Sequence, residues 1–344
     1  VSIKAYKYFS AFTIPLMAIV SFNAHGFFTF STLIYGFVLL PFVEYVIGER
    51  SINLDKAQAE LAKNDRIFDV IIYLTVPAQV ICLFLFLNEI AYGHNTLSDL
   101  IGKTSAMGIM CGVFGINIAH ELGHRNSTGE KILSKIMLCT SLYMHFYIEH
   151  NRGHHRNVGT KEDPATALKN ESVYTFWMRS LPLSFLSAWN IVKKERSRKK
   201  LKTWSWGNEM IQYLLIEFLL CAVIGFYFGM NAMFFFLIAA FIGMLLLETV
   251  NYIEHYGLYR KKVSEFRYED VEPKHSWNSD YIIGRIFLFE LTRHSDHHWE
   301  PSKHYQLLDS MPKASQLPAG YPAMMLLSLV PPMWFRVMNP RLPA

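Results

Sequence analysis

Cysteine is scarce in this chain: four in 344 residues, at positions 82, 111, 139 and 221, each alone in an apolar run. No two form a CxxC pair, which excludes a zinc ribbon or another CxxC metal domain and argues against a disulfide framework. Charge is scarce too. Asp, Glu, Lys and Arg make up 18% of the residues, against roughly 25% in soluble domains. Hydrophobic residues reach 51%, yet the mean hydropathy is only +0.17, because long polar segments dilute several very apolar ones. No cleavable signal is evident, since the first apolar run leads straight into a second. Val1 stands where an initiator Met would, so further residues are expected before it. No nucleic acid is expected as a partner.

A bilayer core needs about 20 mostly apolar residues per helix. Six segments qualify, at about 5–25, 27–47, 67–89, 98–120, 209–229 and 231–252. In lipid each must be helical to satisfy its own backbone. The expected fold is therefore an all-α integral membrane protein, one domain over residues 1–344. A seventh stretch, 136–148, is short and predicts a helix at the membrane boundary. The run 324–335 is interrupted by Pro331 and Pro332 and reads as interfacial.

Basic residues are absent from the turns at 21–26 and 229–231 and from the loop at 89–97, whereas 193–202 (KKERSRKKLK) holds seven. The positive-inside rule then puts both chain ends and the polar segments 120–208 and 253–344 in the cytoplasm. The charge run serves that topology or offers a docking surface for an acidic partner.

What the chain does have is histidine, 14 residues in all. HELGH (120–124), EHNRGHH (149–155) and HSDHH (294–298) fall on the predicted cytoplasmic side, and His255 stands at a helix end there. Helix positions four apart share a face, so His120 converges with His124 and His150 with His154. His294, His297 and His298 are expected to close on one point. With His155 and His255, nine imidazoles can face one volume. That exceeds one ion's needs and suits two ions of four or five ligands each. Imidazole alone does not name the metal. Glu121, Glu149, Glu254 and Asp296 stand beside these residues and can orient ring N–H groups or supply a ligand. Asn117, one turn before His120, reads either as such support or as a helix–helix hydrogen bond. His25 and His94 fall in extracytoplasmic turns; His145, His275 and His304 suit structural or supporting roles. Gly108, Gly112, Gly115 and Ala119 form a small-residue stripe whose expected use is close helix packing. HExxH by itself also fits an intramembrane zinc protease, though that leaves seven clustered histidines without work.

The three clusters resemble the histidine boxes of the membrane di-iron hydroxylase and desaturase superfamily. NYIEHYG (251–257), GHHRNVGTKEDPAT (153–166) and LTRHSDHHWEPSKHYQ (291–306) resemble motifs of the alkane 1-monooxygenases. The resemblance runs from about 67 to 337. It implies ligands at His120, His124, His150, His154, His155, His255, His294, His297 and His298. It also implies two iron ions, O2 as co-substrate and a medium-chain n-alkane drawn from membrane lipids. Electrons would come from rubredoxin, reduced by an NAD(P)H-dependent reductase, and the location would be a bacterial inner membrane. Without a CxxC pair, rubredoxin is expected as a separate protein or as a part lost with a truncated end. A fatty-acyl desaturase or another lipid hydroxylase shares the boxes.

Overall fold

The computed structural model describes residues 5–265 and 267–343, so the outermost residues of the expected 1–344 domain lie outside the description. Four helices are long and apolar enough to cross a membrane: Gly26–Ile47, Ile67–Tyr92, Leu97–His124 and Glu209–His255. The segment expected at 5–25 is a 3-10 helix, Tyr6–Phe12, running into the α-helix Thr13–Asn23.

The 47-residue Glu209–His255 helix breaks at Gly229, where φ is 85°, a conformation that glycine adopts without steric cost. Two hydrogen bonds show that the chain reverses there. Met144 N–H donates to Glu217 at 2.7 Å, and the adjacent Tyr143 hydroxyl donates to Glu248 at 3.1 Å. A straight helix would hold those two glutamates about 46 Å apart.

Three reversals meet at one end of the bundle. The Asp99 carboxylate accepts the N–H groups of Gly26 (2.6 Å) and Thr96 (3.0 Å), so the first two turns share one acceptor. The Tyr92 hydroxyl donates to the Tyr227 carbonyl at 3.0 Å and ties in the third. Lys103 is fully buried near this end and is held by Glu89 (2.7 Å) and Asn95 (2.6 Å). The helices that start here finish at His124 and His255, so the histidines gather at the opposite end.

The small-residue stripe packs as expected. A Cβ on Gly108 would stand 2.5 Å from Ile242, and one on Gly243 2.5 Å from Cys111, so 97–124 and 230–255 are in near-backbone contact. The outward faces carry Phe27, Phe42, Phe84 and Phe226, all exposed, as a lipid-facing surface would.

The helix expected over 136–148 is not continuous. Thr128–Cys139 ends, Leu142 turns through a left-handed φ of 51°, and a new helix starts at Phe146. The apolar run hid the break because hydropathy is blind to backbone handedness. At the C-terminal side Tyr321–Ser328 and Pro331–Met338 are separate helices, the prolines opening the second, where their missing N–H is harmless. Trp334 is buried against Tyr252 and Tyr256, while Leu326, Leu329 and Met333 remain exposed. Two short ladders complete the described residues, Lys262–Ser264 with Arg267–Tyr268 and Trp277–Asn278 with Ser315–Gln316.

The N-terminal helix is joined to the third histidine cluster. Tyr8 O–H (2.6 Å) and Lys7 (3.0 Å) donate to one oxygen of Glu290, and Arg285 donates to the other at 2.6 Å. These contacts hold Phe289 and Glu290 at φ 52° and 58°, a region that non-glycine residues enter only when their surroundings impose it.

Candidate metal centre

Nine histidines lie together at the end of the bundle opposite those reversals, in two groups. His120, His124, His150, His155 and His297 form one; His154, His255, His294 and His298 form the other; within each group the ligand atoms are within 4.8 Å of one another. In the first, Nε2 atoms face each other at 2.9 Å (His120–His297 and His150–His155) and at 3.1 Å (His124–His150 and His124–His155). In the second, His294 is 3.1 Å from His255 and 2.9 Å from His298. Nitrogens bound at about 2.1 Å to one ion and at right angles lie about 3 Å apart.

Two expected convergences are corrected. His150 and His154 fall in different groups because His150–His154 is a π-helical turn. The i→i+5 bonding widens that turn beyond the α-helical 3.6 residues, and His150 meets His155 instead. Nor do all three histidines of 294–298 close on one point. His294 and His298, one α-turn apart, share a group, while His297, rotated about 100° from His298, reaches the other. A second π-turn, Cys111–Ile116, precedes Asn117 and His120.

The chemistry of the donors fits metal ions. Burial, reinforced by neighbouring imidazoles, keeps the pKa values of His150, His155, His294, His297 and His298 well below the ordinary value, so the rings are neutral, the form that binds a cation. His154 differs. Burial opposes its charge, but Asp163, which accepts its Nδ1–H at 3.0 Å, outweighs burial and raises the pKa. Its Nε2 is buried without a hydrogen-bond partner among the described residues.

The neighbouring carboxylates divide. Glu254 stands 3.2 Å from His294 Nε2, on the side where ligand nitrogens meet, and accepts the Tyr321 hydroxyl at 2.8 Å. Glu121 is engaged by Arg125 (3.0 Å) and the Tyr305 N–H (3.3 Å), and Asp296 by Lys303 (2.7 Å) and the Asp309 N–H (2.7 Å). Those two anchor loops rather than rings. Glu149 accepts from Ser187 at 3.4 Å; burial, then the nearby Asp163, raises its pKa. Asn117 donates to the Leu288 carbonyl at 3.3 Å. His145 and His304 are half-buried, His275 bonds Glu269 at 3.0 Å, and His25 is largely exposed. Asp163 was not foreseen as a partner of His154, although its signal was present. Asp-Pro-Ala-Thr at 163–166 is a turn signature, and Asp163 accepts the Ala165 N–H at 3.1 Å.

An apolar cavity of ≈ 90 Å³, lined by Phe37, Ile109, Val113, Leu246 and Phe287 among others, leads toward the histidines. It shares Asn117, Leu247, Val250 and Leu291 with a chamber of ≈ 10 Å³ bordered by His120, His150, His294 and Glu254. On the polar side a cleft of ≈ 650 Å³ is lined by Arg152, Arg156, Lys161, Asp163, Lys194 and Arg198 with their neighbours.

Residues 100–327 match the family described as fatty acid desaturase. The chain is 38% identical to the alkane 1-monooxygenase of Ectopseudomonas oleovorans over 316 residues, 90% of this chain and 78% of that protein. It is 33% identical to alkane 1-monooxygenase 2 of Alcanivorax borkumensis over 349 aligned residues, 99% and 91% of the two chains. A more distant relative is the xylene/toluene monooxygenase hydroxylase component XylM of Pseudomonas putida, 26% identical over 78% of this chain and 72% of that one.

Proposed function

Because the chain belongs to the alkane 1-monooxygenase family, we propose that it converts medium-chain n-alkanes to 1-alkanols, using O2 and two non-haem iron ions. The five- and four-histidine groups would each hold one ion, with Glu254 a further donor beside His294. Bound iron would supply the oxidising power for an unactivated C–H bond. The residues do the rest. Asp163 fixes the tautomer of His154 so that Nε2 faces its ion. The apolar cavity excludes water and brings a chain end against the chamber. Terminal C–H bonds are stronger than internal ones, so end selectivity must come from this positioning.

The single observation that carries the reading is that an apolar cavity shares four lining residues with a small chamber walled by both histidine groups. Divided at Gly229 into 209–228 and 230–255, the four long apolar helices become five of the six spans proposed here, and Tyr6–Asn23 would be the sixth. The positive-inside rule then sets both ends and the iron centre in the cytoplasm, at a bacterial inner membrane. The basic cleft beside Asp163 suits an acidic donor such as rubredoxin, reduced by an NAD(P)H-dependent reductase. The HExxH protease reading is disfavoured because Glu121, its general base, is bound by Arg125.

Membranes carrying the chain, given rubredoxin, reductase, NADH, O2 and a ladder of n-alkanes, should yield 1-alkanols with a chain-length cutoff, read by gas chromatography. New double bonds in acyl lipids without alkanol would assign the chain to desaturation instead.

A further inference from the structure

Hydroxylation consumes protons: RH + O2 + 2e⁻ + 2H⁺ gives ROH + H2O. The chamber has an apolar cavity on one side, which carries none. A second buried polar path approaches it. On the helix Val173–Arg198, Ser180, Ser184 and Ser187 are spaced four and three apart and share a face. Ser180 and Ser184 are buried, while Ser187 is half-buried and lines the basic cleft.

Ser187 donates to Glu149 at 3.4 Å. At the far end Ser180 lies beside Glu248, which accepts from Tyr143 (3.1 Å) and Asn251 (3.3 Å). Glu248 is 1% exposed, and neither its second oxygen nor the Ser180 hydroxyl completes a hydrogen bond among the described residues. Asn251 lines the chamber. A carboxyl group at this depth in an apolar helix is costly and calls for a use. Hydroxyls about one helical turn apart, about 5.4 Å along the axis, are within reach of a single bridging water.

We propose that Glu248 delivers the protons of turnover to the chamber and is reprotonated from the basic cleft along Ser187, Ser184 and Ser180. The proposal rests on the monooxygenase reading only for what consumes the protons. In each passage the Glu248 carboxyl O–H breaks toward water beside Asn251, and a proton from the cleft re-forms it. Two passages match the two electrons from the donor.

Infrared spectra of the iron-loaded wild-type protein in H2O and D2O, with and without Glu248→Gln, test the path independently of products. A protonated carboxyl band absent from E248Q should shift on transfer to D2O within seconds, and at least tenfold more slowly in Ser184→Val. In turnover E248Q should keep its iron and its KM for alkane, lose at least tenfold in kcat, show an enlarged solvent isotope effect and divert reducing equivalents to peroxide; Glu248→Asp should recover part of kcat. A Glu248 band that exchanges equally fast in S184V, or E248Q with wild-type kcat and isotope effect, would overturn the path. Failure of the wild type to hydroxylate any alkane, with exchange still dependent on Ser184, would instead count against the substrate reading alone.

Discussion

The two histidine groups are built differently. In the five-membered group His124 and His155 are only half-buried, whereas all members of the four-membered group are buried. The larger group has nitrogen donors to spare. The smaller one has fewer, but it carries the acids: Asp163 behind His154 and Glu254 beside His294. As proposed metal sites, one would hold its ion by number and the other by the hydrogen bonds behind its ligands, and the second strategy would concentrate dependence in single residues.

The strongest way to break the comparison is to remove one donor from each group. His255→Ala leaves the smaller group three histidines, and it should release that ion, about half of the iron, and abolish turnover. His124→Ala leaves four histidines and should retain its ion. Metal analysis of the purified variants decides; full iron and full activity in H255A would remove His255 from the centre.

Glu290 should affect both groups alike, since the segment it holds sends His297 to one and His294 and His298 to the other. Burial alone would raise its pKa, but Lys7 and Arg285 outweigh burial and bring it from 4.5 down to about 2. A depressed carboxylate stabilises the fold above its ordinary pKa, and the contribution is lost as pH falls through about 2. Glu290→Gln should therefore cost about 3–5 kcal/mol at neutral pH. Its unfolding curve in detergent should converge on that of the wild type only toward pH 2. A gap that is unchanged at pH 2 would mean that the ion pairs are not its source.

Asp163→Asn sharpens the comparison most gently. It should weaken one ion about 10–100-fold and spare the other, so that chelator stripping, followed by metal release, turns biphasic. Equal weakening of both ions would contradict a local role.

Much of this was legible beforehand. Hydropathy located the apolar segments within a few residues, and clustering picked out the nine histidines that the structure gathers. The partition was not legible, because sequence spacing presumes 3.6 residues per turn and the turn at 150–154 is π-helical. The boundary helix at 136–148 failed for a related reason: Leu142 adopts a left-handed turn that its residue type does not announce. Adjacency in sequence favours Glu121, Glu149, Glu254 and Asp296, and of these Glu254 does reach a ring, that of His294. Asp163, which reaches His154, lies nine residues away and arrives through a loop, where adjacency does not point.

The placement of His294, His297 and His298 has a consequence for how the molecule is made. Synthesis runs from the N-terminus, and these residues come last of the nine. A nascent chain ending before His294 can offer four donors of the larger group but only His154 and His255 of the smaller. Neither group is complete until residues 294–298 have emerged and Glu290 has met Lys7 and Tyr8, the first part of the described chain to be made. If the groups hold metal as proposed, capture would wait for that late segment, and a product terminated before it would be left with neither group finished.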